Sequence, residues 1–166
     1  MVDSRGTLRP ATLSDLDIVA SWIASARECE LWAGWRVRFP LDRTTLPGTI
    51  GFSESNAFSL ADHDELVAFG QLVTRGASRV HLARIIVAPD RRRSGYGAAL
   101  VNGLIARARR DWYERVSLNV DQENRPAIAL YSNLGFRDAE RPADEPESPR
   151  SNYMEYSIVD ERPTSR

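Results

Sequence analysis

The sequence predicts an α/β chain folded around a mixed sheet. Three observations carry that reading. An apolar, β-branched run from Val80 to Val87 is stopped by Pro89, the mark of a buried strand. Gly97, Leu100, Val101, Leu104, Ile105, Ala108 and Trp112 then recur at three- and four-residue intervals, which makes one buried helical stripe. Arg115 to Val120 follows as a second, alternating strand. Strand, helix and strand in that order form a right-handed parallel crossover, and hairpin-like strands on either side make the sheet mixed.

Composition bounds the rest. At 166 residues with 42% hydrophobic and 27% charged side chains, the chain has enough apolar residues for one core. It reads as a single domain over residues 1–160, with a frayed tail at 161–166. All 22 basic side chains are Arg, which reflects coding bias and says nothing about chemistry. The net charge of −1 gives no field toward nucleic acid or membrane. A lone Cys29 excludes an intrachain disulfide and fits a reducing compartment, so a cytoplasmic protein is expected. Met1 to Pro10 has no apolar signal region, and no run is long enough to span a bilayer. Two His and one Cys, far apart, argue against a metal site.

The elements follow in order. Thr7-Leu8-Arg9 reads as a first strand stopped by Pro10. Thr12 or Ser14 caps a helix that carries Asp15 and Asp17 in its first turn and Leu16, Val19, Ala20 and Ile23 on its apolar face. Ser21 to Ala26, with Trp22, continues that helix, and Arg27-Glu28-Cys29-Glu30 opens a second, short one. Leu31 to Leu41 holds Trp32, Trp35 and Phe39 without a clean period, so it is either a lid on the core or a wall of a ligand pocket. Asp42 to Ile50 reads as a short helix in spite of Pro47 and Gly48.

Asn56 to Leu60 and Leu66 to Thr74 form a hairpin around Asp62-His63-Asp64, which makes His63 a solvated turn residue. Within the central strand, His81 reads as a hydrogen-bonded sheet histidine, with a catalytic base as the sharper alternative. Arg84, between Leu82 and Ile86, either binds an acidic group or snorkels. After Val120, Asp121 to Asn124 turns the chain, and Pro126 to Leu134 is a short helix closed by Gly135. Phe136 to Glu140 begins another strand, Arg141 to Arg150 is a polar, proline-rich loop, and Tyr153 to Val159 is the last strand.

The chemistry concentrates between the central strand and the long helix, in Arg92-Arg93-Ser94-Gly95-Tyr96-Gly97-Ala98. Gly95 and Gly97 remove two Cβ atoms where a ligand must approach the backbone. The helix start offers free N–H groups and the positive end of its dipole. Together they make a site for a phosphate or diphosphate, with Arg92 and Arg93 adding charge. The bland alternative is a tight turn with a solvated arginine run. The dinucleotide fingerprint does not fit, because position 100 is Leu, and no Gly-Lys-Ser/Thr follows to make a nucleotide P-loop.

Three pieces now stand in order: Arg92-x-x-Gly95-x-Gly97 after a strand ending Val-x-Pro; Leu118-Asn119-Val120 followed by Asn124; and Ala127-x-x-Leu130-Tyr131-x-x-x-Gly135-Phe136. The chain resembles the GCN5-related N-acetyltransferase (GNAT) superfamily, most closely from Val80 to Phe136. Trp32-Ala33-Gly34 with Phe39-Pro40-Leu41 is similar to a subgroup of bacterial members. The resemblance implies a mostly antiparallel mixed sheet of six or seven strands, splayed between the fourth and fifth and flanked by about four helices. It implies acetyl-CoA as co-substrate and direct acetyl transfer to a primary amine of a small molecule or peptide.

By the same resemblance, main-chain groups of Ile85 and Val87 pair with pantetheine, and the diphosphate rests on Arg92, Arg93, Ser94, Gly95, Tyr96, Gly97 and Ala98. Asn124 holds the pantetheine side, and Tyr131 lies at the thioester sulfur as general acid. Some relatives carry a Glu where this chain has Asn119; Asn cannot take a proton, though it can position a water. Glu28, Glu30, Asp121 and His81 remain candidates for the base. Glu28, Trp32, Trp35 and Phe39 are candidates for the acceptor side, and Asp144, Glu145 and Glu147 for attracting a cationic amine. A non-catalytic acyl-CoA-binding module is the competing reading. A nucleic-acid reading of Arg91-Arg92-Arg93 and Arg107, Arg109 and Arg110 is set aside by the near-neutral charge. Family members are often dimers, so a homodimer is among the assemblies implied.

Overall fold

A computed structural model describes residues 5–159. Its strands are β1 (Thr7–Pro10), β2 (Ala57–Asp62), β3 (Glu65–Arg75), β4 (Arg79–Val87), β5 (Arg115–Asp121), β6 (Arg137–Asp138) and β7 (Ser151–Ser157). Its helices are α1 (Leu13–Ser21), α2 (Ala26–Ala33), α3 (Leu46–Thr49), α4 (Tyr96–Arg110) and α5 (Arg125–Leu134), with a 3-10 turn at Pro89–Arg91. The strands form one sheet in the order β1-β2-β3-β4-β5-β7-β6. β4 and β5 run parallel, as the crossover through α4 requires. β1 with β2, β2 with β3, β5 with β7 and β6 with β7 are antiparallel. The register of β4 with β5 ends at Leu82↔Leu118, although β4 runs on to Val87 and β5 to Asp121.

The chain divides into two compact units. Among the described residues, the first is 5–71 with 83–101, and the second is 72–82 with 102–159. In the first, Leu16, Val19, Trp32, Leu46, Ile50 and Phe69 are buried in one apolar cluster. The start of α1 is closed by a capping box: Thr12 Oγ1 accepts from Asp15 N–H, and the Asp15 carboxylate accepts from Thr12 N–H. In the second unit, Leu104, Ile105, Ala108, Val116, Leu118, Met154 and Ile158 are buried.

Several boundaries differ from the sequence reading, each for a local reason. α1 stops at Ser21, because Ser25 accepts from Glu28 N–H and so caps a separate helix α2. Leu31, Trp32 and Ala33 belong to that helix and not to the irregular stretch. Of Asp42 to Ile50 only Leu46–Thr49 is helical. Trp112 is no part of the buried stripe and is 77% exposed. It adopts φ 65°, while Tyr113 N–H bonds back to Ala108 C=O, so it closes α4 as a left-handed cap. The strand from Phe136 shrinks to Arg137–Asp138, and the last strand ends at Ser157. The tail at 161–166 lies outside the described residues. Among the described residues, no helix is long and apolar enough to cross a membrane.

Candidate active site

The first unit holds the glycine loop. β4 ends at Val87, and Ala88 N–H bonds to Val67 C=O before the 3-10 turn. Arg93 has φ 62° and Gly95 φ 84°, a left-handed conformation that Arg adopts at a cost and Gly freely. Ala99 N–H donates to Gly95 C=O, the first bond of α4. The amides of Tyr96, Gly97 and Ala98 therefore precede any intrahelical partner. Arg92, Arg93, Ser94 and Gly95 are exposed. Tyr96 is buried; its hydroxyl donates to Asp62, and Arg91 pairs with Glu65, so the β2–β3 hairpin steadies both ends of the loop. Arg5 donates to Ser94 C=O from the N-terminal side. The arrangement fits an anionic diphosphate: backbone donors, a helix dipole and the exposed side chains of Arg92 and Arg93.

Upstream of the loop, β4 itself is distorted. Arg84 has φ 54°, its C=O accepts from the Trp32 indole N–H at 3.0 Å, and its guanidinium donates to Gln71 at 2.9 Å. Gln71 is fully buried and also donates to Ile50 C=O. Trp32 is thus a core residue tied to the strand backbone. Trp35 is 57% exposed with Arg36 over its ring, and Phe39 is 38% exposed. Glu28 accepts from Ala24 N–H at 2.7 Å and Glu30 pairs with Arg27 at 3.1 Å. Ile85 and Val87 are half-buried on β4.

The second unit holds Tyr131, Asn119, Asn124 and a buried polar layer. Tyr131 is buried on α5, edge-on to Phe136 at 5.8 Å between ring centroids. Burial pushes its hydroxyl well above the usual tyrosine range. Asn124 Oδ1 accepts from Ala127 N–H and so caps α5. On β4 and β5 the polar residues fall on alternate positions, so Arg79 and His81 share a face, as do Ser117 and Asn119. His81 pairs in register with Ser117, and its Nδ1 is 2.8 Å from Ser117 Oγ and 3.4 Å from Glu145 Oε1. Glu145, its side chain 1% exposed, also pairs with Arg75 and Arg79, each at 3.2 Å. Its charge is therefore spent inside the protein, which overturns the expectation that it draws in an amine; Asp144 and Glu147 stay exposed.

Comparison with known proteins decides the family. Residues 23–136 match the acetyltransferase (GNAT) family. The chain is 32% identical over 124 residues to the [ribosomal protein bS18]-alanine N-acetyltransferase of Escherichia coli K12, covering 70% of this chain and 81% of that protein. The chain belongs to the GNAT acetyltransferase family. The crystal structure of the Escherichia coli ribosomal-protein-S18-alanine N-acetyltransferase superposes with a TM-score of 0.66 at 26% identity, covering 92% of this chain and 94% of that one. That of spermidine N-acetyltransferase from Vibrio cholerae, in complex with CoA and spermine, reaches a TM-score of 0.73 at 18% identity, covering 95% and 98%. Among the described residues of this GNAT protein, no group of His, Cys, Asp or Glu could hold a metal ion.

Within each unit, some of the residues singled out in this GNAT chain do come together. Arg92 to Ala98 form one loop, and Asn119 Nδ2 lies 3.4 Å from His81 Nε2. Glu28, Trp35 and Phe39 share no hydrogen bond or ring contact with one another among those described. Sequence reasoning missed Ser117 as a partner of His81, and Arg75 and Arg79 as partners of the Glu145 beside it. A signal for two of them was present: Arg79-Val80-His81-Leu82 and Val116-Ser117-Leu118-Asn119 both alternate apolar and polar over a run assumed to be buried. Nothing local marks Glu145, which lies 64 positions beyond His81 in a loop (145 − 81).

Proposed function

We propose that this protein transfers an acetyl group from acetyl-CoA to a primary amine of a small molecule or peptide. The observation that supports this most is the Arg92–Ala98 loop, opened by Arg93 and Gly95 at positive φ onto the start of α4. Its amides and the two arginines grip the diphosphate, and main-chain groups of Ile85 and Val87 pair with pantetheine. Asn124, whose oxygen serves the helix cap, offers its amide N–H2 to the same ligand. Acetyl-CoA supplies an activated carbonyl. The amine nitrogen forms a bond to that carbon, the C–S bond breaks, and the thiolate leaves. Main-chain N–H donors stabilise the oxygen on which charge develops. Tyr131, kept protonated at neutral pH by its burial, gives its proton to the departing sulfur.

The relatives named for ribosomal-protein alanine and for spermidine suggest probes: a peptide beginning with alanine, and spermidine. Calorimetry with CoA should show binding, and thiol release from acetyl-CoA should follow with one of the two amines. Tyr131→Phe should slow turnover by about tenfold or more, with CoA affinity unchanged. An unchanged rate removes Tyr131 from the chemistry. Binding of CoA without turnover across a wide amine panel would favour the non-catalytic module.

A further inference from the structure

We propose that His81 is the general base that takes the amine's proton, with Glu145 and Asn119 as its positioning residues. This rests on the acetyl-transfer reading above and names the group which that reading leaves unassigned. His81 Nδ1 lies 2.8 Å from Ser117 Oγ, its hydrogen-bond partner, and 3.4 Å from Glu145 Oε1; beside a carboxylate, which only accepts, we assign the ring proton to Nδ1, with Ser117 Oγ accepting it. Glu145 is itself held by Arg75 Nε and by Arg79 Nη2, so it stays in place as the ring titrates. With Nδ1 protonated, Nε2 of the neutral ring carries the lone pair. Asn119 Nδ2, a donor, lies at a long 3.4 Å from it.

Asn119 supplies the second half of the argument. Its Oδ1 is buried and has no hydrogen-bond partner among the described residues. A buried acceptor left without a partner costs stability, so a persistent one marks a place where a donor arrives. The two neighbouring groups, Nε2 and Oδ1, are both acceptors. An ammonium carries the donors that match them: one N–H replaces the long contact at Nε2 and another reaches Oδ1. The half-buried Asn119 is the member of this chain open to such a ligand, while His81 is 5% exposed.

The proton balance is complete. The ammonium loses one proton to Nε2, leaving an imidazolium between Glu145 and Asn119. The neutral amine then forms the N–C bond as the C–S bond breaks. The thiolate takes the Tyr131 proton, and the second proton lost by the nitrogen restores the tyrosine. The imidazolium returns its proton to solvent. The ionisable groups on this face include Arg75 of β3, Arg79 of β4, Arg115 and Asp121 of β5, Tyr153 and Glu155 of β7, and Asp144 and Glu145 of the loop. Tyr153 bonds to Glu155 and to Ser117.

The test compares wild type, His81→Gln and Glu145→Gln, with an alanine-initiated peptide and spermidine as amines. His81→Gln should lose about 100-fold in kcat/KM at pH 7. The α-amine of the peptide has a pKa near 8, so the deficit should shrink below about tenfold at pH 9.5, where the amine is already neutral. CoA affinity should stay within about twofold. An equal deficit at both pH values, which a purely structural role would give, overturns the proposal, as does no deficit. Ring 15N NMR supplies a readout that needs no turnover: the Nδ1–H tautomer is expected in wild type, and Glu145→Gln should weaken it. The Nε2–H tautomer, or a ring unmoved by added spermidine in a protein that turns over neither amine, overturns the assignment. Absence of CoA binding by wild type would instead remove the acetyl-transfer reading, leaving the tautomer to report on His81 alone.

Discussion

α1 and α4 both begin inside the first unit, and they treat their free amides in opposite ways. α1 starts behind Thr12, whose side chain and that of Asp15 satisfy each other's backbone N–H groups. Asp15 also accepts from Arg9 and from Ser59. That end carries its own carboxylate, which occupies the place where an outside anion would sit. α4 starts behind Gly95, which has no side chain to cap with, and exposed arginines precede it. One helix start is closed by its own side chains, and the other is the one proposed to take a ligand. The difference is one of residue type at a single position, an oxygen-bearing Thr against a Gly, with the same backbone chemistry behind both.

The comparison breaks most sharply at Gly95. A Cβ there would lie 2.7 Å from Arg5 Nη1, at a φ of 84° that side chains rarely adopt. Gly95→Val should therefore move the loop and turn amides away from the diphosphate. Losing two hydrogen bonds to charge, at about 1.5 kcal/mol each, converts to a CoA Kd about 100-fold weaker. Calorimetry reads it directly, and unchanged affinity would refute the role of the loop.

Asp15→Asn tests the self-capped end. Burial alone would raise the Asp15 pKa, but Arg9, the Thr12 amide and Ser59 outweigh it and hold it down at about 2. The shift from an ordinary carboxylate corresponds to about 2 kcal/mol of stability. Because the folded-state pKa is the lower one, this contribution is complete above about pH 4 and is lost as pH falls toward 2. The variant should lose about that much in denaturant unfolding at pH 7 and show a flatter acid limb, with CoA binding unchanged. An acid limb as steep as wild type would assign the acid sensitivity elsewhere.

A third helix start, that of α5, separates the two uses within one side chain. Asn124 caps with its oxygen and is proposed to hold the ligand with its nitrogen. Asn124→Asp keeps the cap and removes the donor, so stability should hold while CoA affinity falls. Asn124→Ala removes both and should cost about 1 kcal/mol of stability as well. Equal CoA binding by the two variants and wild type would leave Asn124 as a cap only.

How much of this was readable in the sequence follows from the range of each interaction. Capping residues, the glycine loop, the hairpin at His63 and the α4 stripe depend on neighbours within a few positions, so their patterns are local. Trp112 misled because a helical period was carried past the true end of α4, where the left-handed cap falls on a residue other than Gly. Trp32 stayed open between a core lid and a pocket wall because its partner, Arg84 C=O, is 52 positions away. Glu145 looked like a surface charge in a polar loop, since only folding supplies Arg75, Arg79 and His81 around it. Buried polar networks join distant strands and loops, and no spacing rule encodes them.

The smallest effect is expected at Tyr96, and it asks how an uncapped helix start holds its shape. With no side-chain cap from Gly95, α4 must be fixed from outside. The Tyr96 hydroxyl on Asp62 and Arg91 on Glu65 are the contacts that reach it from the β2–β3 hairpin. Tyr96→Phe removes one hydrogen bond and keeps the buried ring. If the loop is preorganised by this contact, CoA should bind about threefold more weakly, the scale of one modest hydrogen bond, with amide exchange in 93–98 quickened. Arg91 and Glu65 are both partly solvated, so Glu65→Gln should change affinity less than Tyr96→Phe does. The reverse order would place the steadying force in the ion pair, and faster exchange with unchanged affinity would show that the ligand itself orders the loop.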